Sequence, residues 1–167
     1  MEASPHGPDG VDFDETFRTS FEPMVRSLAL ACGNREVAAD AVQDAFTRAY
    51  ARWRRISRYD DPTGWIRHVA LNRVRDHFRH AERGRRAVER LGGRAEVRSE
   101  DLAPADPDDL LTTVAELPHQ QRVAVSLFYV EQLSVHEVAE AMGLSEGAVK
   151  YHLHAGRERL RGQVVAP

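Results

Sequence analysis

The stretch SVHEVAEAMGLSEGAVKYHLHAGRERL, Ser134 to Leu160, carries two helix starts only eleven residues apart. Ser134 stands three residues before Glu137, so hydroxyl and carboxylate can each satisfy the other residue's backbone N–H. Val135, Val138, Ala139 and Met142 give the first helix one apolar face. Gly143 supplies the left-handed residue of a tight turn, and Leu144 is placed to plug a core. Ser145 opens the second helix, which Val149, Leu153, Gly156 and Leu160 anchor along one side. Its other side displays Glu146, Lys150, Tyr151, His154 and Arg157. A short helix braced against a longer one with a free polar face is the helix-turn-helix arrangement, in which the second helix enters a DNA major groove. An ordinary packed helical hairpin has the same apolar spacing but no need of the free face.

Upstream of this stretch the periodicity stays helical. Leu110, Leu111, Val114 and Leu117 mark a short helix before Pro118, and Val123, Ala124, Leu127 and Phe128 mark another that ends near Glu131-Gln132. Nearer the N-terminus, Phe17, Phe21, Met24, Val25 and Leu28 recur at spacings of three and four, with Pro23 inside the run predicting a kink or a late start. Asn34 is a cap for the next helix, whose apolar stripe is Ala38, Ala41, Val42, Ala45, Phe46, Ala49, Tyr50 and Trp53. Asp61-Pro62 reads as a cap followed by proline at the first helical position. Trp65, Ile66, Val69, Ala70, Val74 and Phe78 define the third long helix, and Arg67, Asn72, Arg73, Arg75, Asp76 and Arg79 fall on its polar side. From Gly84 to Asp109 the periodicity fails amid Gly92-Gly93, Pro104 and Pro107, apart from a short helical signal near Ala87 to Leu91. The expected fold is all-α: two small helical domains, residues 13–83 and 110–163, joined by a flexible linker over 84–109, with a disordered tail over 1–12 and the helix-turn-helix in the C-terminal domain.

Composition narrows the chemistry. The net charge of −3 argues against a protein that grips nucleic acid by charge alone. Arginines nevertheless crowd the stretch from Arg48 to Arg86, against only Asp60, Asp61, Asp76 and Glu82. Arginine suits bidentate phosphate contact, and it also follows from the codon usage of a GC-rich genome. The single cysteine, Cys32, excludes an internal disulfide and reads as a small apolar residue in a reducing compartment. The eight histidines form no convergent set, His77 and His80 included, so no metal site is expected. There is no paired-carboxylate site and no phosphate-cradling glycine loop, so neither enzyme activity nor a cofactor is expected. The polar start and the lack of a run of about 20 apolar residues predict a cytoplasmic protein without membrane insertion.

Five motifs in order extend the reading beyond the helix-turn-helix: Asp40-Ala-Val-Gln-Asp-Ala-Phe46, Pro62-x-x-Trp65, Ala70-x-Asn72-x-x-x-Asp76, Leu117-Pro-x-x-x-Arg122 and Ser145-Glu-Gly147-x-Val149-Lys150. Together they resemble bacterial RNA polymerase sigma factors of the extracytoplasmic-function (ECF) type, over nearly all of Asp14 to Arg161. The resemblance implies a protein that binds core RNA polymerase, recognises the −10 and −35 promoter elements and directs transcription initiation. It assigns Asp40, Gln43, Asp44 and Arg48 to the polymerase clamp. Arg58, Tyr59, Asp60, Asp61, Asn72, Arg73, Arg75 and Arg79 fall to the −10 element. Arg122, Ser145, Glu146, Lys150, Tyr151, His154 and Arg157 fall to the −35 element. It also implies an anti-sigma factor as a partner beside polymerase and promoter DNA. Trp65 stacks on a base or packs in the core, and Asn72 reads a base or caps a network; the spacing leaves both open. The chain departs from the family's usual pattern at Ala148, Tyr151 and Ala155, which unsettles the expected −35 sequence. Promoter elements lie on the order of two helical turns apart, ~70 Å. A linker of about 25 residues reaches ~80 Å extended and ~25–30 Å relaxed, so polymerase is expected to hold the two domains apart. The alternative is a self-sufficient helix-turn-helix regulator that dimerises and senses a signal through its N-terminal half. A response regulator would need an alternating strand and helix receiver, and no such pattern is present.

Overall fold

The computed structural model describes residues 10–93 and 110–164, and all regular structure among them is helical. The elements are α1 (Phe13–Cys32), α2 (Arg35–Ala51), the single turn α3 (Trp53–Ile56), α4 (Pro62–Arg90), α5 (Leu110–Ala115), α6 (His119–Val125) with a π-helical continuation over Ser126–Val130, α7 (Val135–Met142) and α8 (Glu146–Val164).

Local chemistry sets most of the boundaries. Gly33 ends α1 in the left-handed region at φ 73°, and the Asn34 side chain accepts from the Val37 N–H at 3.0 Å to start α2. Asp61 accepts from the Gly64 N–H at 2.8 Å, with Pro62 at the first position of α4. The Ser134–Glu137 capping box is complete, with Ser134 N–H donating to the Glu137 carboxylate at 2.7 Å and Glu137 N–H to the Ser134 hydroxyl at 3.1 Å. Gly143 turns the chain at φ 65°.

Several boundaries differ from the sequence reading. Helix α1 begins at Phe13 and continues past Pro23 without a break. The carbonyl that Pro23 leaves without an N–H belongs to exposed Thr19, where water can serve it. The final three residues of the supposed tail before α1 are fastened down: the Val11 carbonyl accepts from buried Trp53 Nε1 at 3.1 Å, and Gly10 lies so close to Ser57 that a Cβ would meet its Oγ at 2.9 Å. Helix α4 does not stop at Arg83 but continues to Arg90. Gly84 is tolerated in a solvated stretch where Glu82 pairs with Arg85 and Arg86 one turn on. The rest of the expected linker, 94–109, and the tail before residue 10 lie outside the described residues. Tyr50 and Phe78, expected in the core, are 51% and 39% exposed.

Helices α1, α2 and α4 form the N-terminal head. The small side chains Ala38, Ala41, Ala45 and Ala49 let α2 approach closely, and all are buried. Edge-on contacts of Phe13 with Trp53 and with Tyr50, both at 5.1 Å between centroids, close its end. Helices α5 to α8 form the second head around Val123, Leu127, Val138 and Val149. A Cβ on Gly156 would meet Val125 Cγ2 at 2.9 Å, so α8 crosses α6 where only a hydrogen fits.

The two heads are not held apart. They pack on one another through a seam of α1 and α4 against α6, its π-helical continuation and α7, and their buried side chains form one continuous core. Its centre is an ion pair. Arg67 Nε donates to Glu131 Oε1 at 2.7 Å, with side chains 6% and 4% exposed, and the Ser27 hydroxyl donates to Glu131 Oε2 at 2.7 Å. Both carboxylate oxygens are therefore met. The π-helical turn closes at Val130 with Glu131 as its C-cap, Gln132 follows in the left-handed region at φ 58°, and such turns recur at sites where a helix departs from regular geometry.

Candidate nucleic-acid and polymerase interfaces

Helix α8 presents its free face as the spacing predicts. Val149 and Leu153 are buried under it, while Glu146, Lys150, Tyr151, His154 and Arg157 are exposed, Tyr151 by 66%. Ser145 caps the helix, accepting from the Ala148 N–H at 3.1 Å, so its hydroxyl is already engaged. Glu146 is held by His136 of α7 at 3.0 Å. That hydrogen bond, aided by Glu140, raises the His136 pKa above the ordinary imidazole value. Arg157 donates to the Tyr129 hydroxyl at 3.4 Å. Arg122 is the exception in the predicted set. Its Nε donates to the Ala31 carbonyl at 2.7 Å and its Nη1 to the Ala115 carbonyl at 2.9 Å. It staples the seam instead of facing open solvent.

On the N-terminal head, α2 turns Asp40, Gln43 and Arg48 outward. Asp44 Oδ2 forms ion pairs with Arg48, 3.0 Å from its Nε, and with Arg73, 3.6 Å from its Nε. Arg73 lines a cleft of about 410 Å³ with Asp40 and Asp44, on the side of α4 that faces α2. The rest of the row assigned to the −10 element divides. Arg58, Tyr59 and Asp60 stand exposed on the loop before α4, and Arg79 is exposed further along it. Asp61 is spent on its cap. Asn72 bonds to His68 Nε2 at 3.0 Å and accepts from Arg75 at 3.3 Å. Arg75 reaches across the seam to the Met142 carbonyl at 3.0 Å, and His68 Nδ1 lies 3.3 Å from the Ala141 carbonyl. In this closed form Asn72 and Arg75 face α7. Trp65 is half-buried against the core, as the packing reading has it.

Sequence reasoning placed Arg67 on a polar face and gave Glu131 no role. No local signal links them, because the partners are 64 residues apart. Burial raises the Cys32 thiol pKa, and its S–H donates to the Asn34 carbonyl at 3.2 Å, as suits a packed residue. Among the described residues no group of His, Cys, Asp and Glu could hold a metal ion, and no helix is long and apolar enough to cross a membrane.

Fold and surfaces define a class: a two-headed helical protein with an exposed acid-amide face on one head and a helix-turn-helix on the other. Residues 17–84 match Sigma-70 region 2, and residues 108–160 match Sigma-70 region 4. The chain is 31% identical to RNA polymerase sigma-E factor of Streptomyces coelicolor, over 93% of its own length and 88% of the relative's. It is 28% identical to ECF RNA polymerase sigma factor SigW of Bacillus subtilis, over 79% and 78%. The chain belongs to the RNA polymerase sigma factors of the ECF type. Among solved structures, sigma factor RpoE of Bartonella quintana, in complex with the anti-sigma factor NepR, matches with a TM-score of 0.71 at 19% identity, over 91% of this chain and 96% of that one. CnrH in complex with the cytosolic domain of CnrY matches with a TM-score of 0.60 at 22% identity, over 90% and 85%. At these identities the likeness is one of fold.

Proposed function

We propose that this ECF sigma factor binds core RNA polymerase through the outward face of α2, with Asp40 and Gln43 in contact and Asp44 and Arg48 framing them. The loop residues Arg58, Tyr59 and Asp60, with Arg79 and, once the seam opens, Asn72 and Arg75, meet the −10 element. Lys150, Tyr151, His154 and Arg157 on α8 enter the major groove of the −35 element, with Lys150 and Arg157 on phosphates and Tyr151 offering apolar contact to a thymine methyl. The chemistry of RNA synthesis is the polymerase's, and the site of action is the cytoplasm, where polymerase and promoter are.

The observation that carries this reading is the pairing, in one chain, of an unburied acid-amide face on region 2 with an unburied recognition face on region 4. Each head alone offers few contacts, so each gains from being tethered to the other on the enzyme. An anti-sigma factor is the natural regulator: among proteins that share this fold, RpoE is in complex with the anti-sigma factor NepR and CnrH with the cytosolic domain of CnrY, and the two working faces here are equally open to cover.

Run-off transcription with purified core polymerase tests the proposal. The full chain should start specific transcripts from a promoter mapped after overexpression. Asp40→Arg with Asp44→Arg should abolish core binding while leaving the helical signal intact. Core affinity unchanged by that double reversal sinks the assignment of α2, and specific promoter occupancy without polymerase favours the self-sufficient regulator instead.

A further inference from the structure

A cleft of about 530 Å³ lies at the seam between α4 and α6, apart from both the α2 face and the α8 face. Arg75, Arg79, Arg83 and Arg86 line it from α4, and His119 and Arg122 line it from α6. The α4 residues fall at intervals of four, four and three, so they stack along one helix face. Like charges at that spacing destabilise a helix. Among the described lining residues the one carboxylate is Glu82, which is already shared between Arg85 and Arg86. Arg79 and Arg83 have no ion-pair partner among the described residues. The cationic field registers on its neighbours. Loss of water, then the charges of Arg122 and Arg75, push the His119 pKa below the ordinary imidazole value. Arg75 is likewise lowered by burial and by Arg79. The cleft is walled by both heads, and its volume is that of a small-molecule site, too confined for a duplex.

We propose that this interdomain cleft binds a linear oligophosphate, whose successive phosphate groups bridge the arginine row of α4 and the His119–Arg122 wall of α6. Guanidinium forks match phosphate oxygens bidentately, and several phosphates in line match several arginines in line. Because the two walls belong to different heads, the ligand binds the closed form and not the open one. It therefore stabilises closure by mass action and shifts the protein away from the form that spans a promoter. This inference stands whether or not the promoter contacts are as assigned above.

The test is isothermal titration of the full-length protein with sodium tripolyphosphate, beside Arg83→Ala, His119→Ala and, as a surface control, Arg54→Ala. All three side chains are exposed, so the variants should fold as the parent does. Binding with one site per chain is expected. It should weaken about tenfold in each cleft variant, the worth of one charge-assisted hydrogen bond, and stay unchanged in Arg54→Ala. A rise in thermal midpoint with tripolyphosphate should be lost in the same two variants. No binding at low salt, or binding equal in all four proteins, overturns the proposal, the second outcome meaning only non-specific attraction to surface arginine. A short single-stranded oligonucleotide that binds more tightly with the same dependence on Arg83 and His119 would reassign the cleft to a nucleic-acid backbone and also overturn it.

Discussion

Glu131 is the residue on which the closed form turns most sharply. Its carboxylate is buried, and both oxygens are taken by Arg67 and Ser27. Removing one member of a buried ion pair costs about 3–5 kcal/mol, because the other charge is left without a partner or water. Here the loss has a ceiling: once it exceeds the free energy of the seam, the heads part and Arg67 regains water. Glu131→Ala should therefore lower the urea midpoint and enlarge the hydrodynamic radius together. Glu131→Leu combined with Arg67→Met should restore most of both, since a packed apolar pair of similar volume is often as stable as the ions. Equal radii in Glu131→Ala and the parent would show that this pair does not hold the seam. Glu137 makes a second residue-level prediction. The Ser134 backbone N–H, ahead of the opposing effect of burial, holds its carboxyl below the ordinary range. A depressed folded pKa gives stability that is present above the unfolded value and lost as pH falls through the folded one. Stability curves of the parent and Glu137→Gln should thus differ at neutral pH and converge below about pH 4.3. A constant gap down to pH 3 would contradict the capping role, and Ser134→Ala should cost about 1 kcal/mol by the same contacts.

Single elements were largely legible because their signals are local. The caps at Asn34, Asp61 and Ser134 and the turn at Gly143 each involve residues within four positions of one another, and all stand where the sequence puts them. Pro23 does not delay the start of α1, because a helix packed along its length is held by its buried face. Gly84 misled because pairing around Glu82 carries α4 past it. The π-helical turn at Ser126–Val130 had no sequence signature at all. It is imposed where α6 must turn Glu131 toward α4 while keeping Leu127 at 0% exposure in the core. The bracing of α8 makes its own prediction. Gly156 sits where a Cβ would press on Val125, and overpacking at such a crossing costs about 1–3 kcal/mol. Gly156→Val should destabilise the C-terminal head by that amount and weaken −35 binding through displacement of α8. An unshifted midpoint would mean that α8 can slide on α6 freely.

At the scale of the whole molecule, two heads and a connection could be read from composition, but their closure could not. The hydrogen bonds described across the seam all pair residues far apart in sequence: Ser27 and Glu131, Arg67 and Glu131, His68 and Ala141, Ala31 and Arg122, Arg75 and Met142. Arg122 and Arg75 show what in the candidate site was not legible: the contacts that they make with the neighbouring head. Arginine looks the same in a sequence whether it will hold a phosphate or a carbonyl of the neighbouring head. With the contacts proposed above the closed form is not the working one, since promoter elements lie on the order of two helical turns apart, ~70 Å, and Asn72 and Arg75, proposed for the −10 element, face α7. Helix α4 ends at Arg90 and α5 begins at Leu110. The nineteen residues between them reach at most about 65–70 Å, enough for the heads to part without breaking either. The most direct measurement is the distance between fluorophores placed at Glu36→Cys on α2 and Arg159→Cys on α8, read in the free protein and again on core polymerase. The account predicts one short distance in the free chain and a lengthening of tens of ångströms on the enzyme. A distance unchanged by polymerase, in a preparation that still initiates transcription, would contradict it.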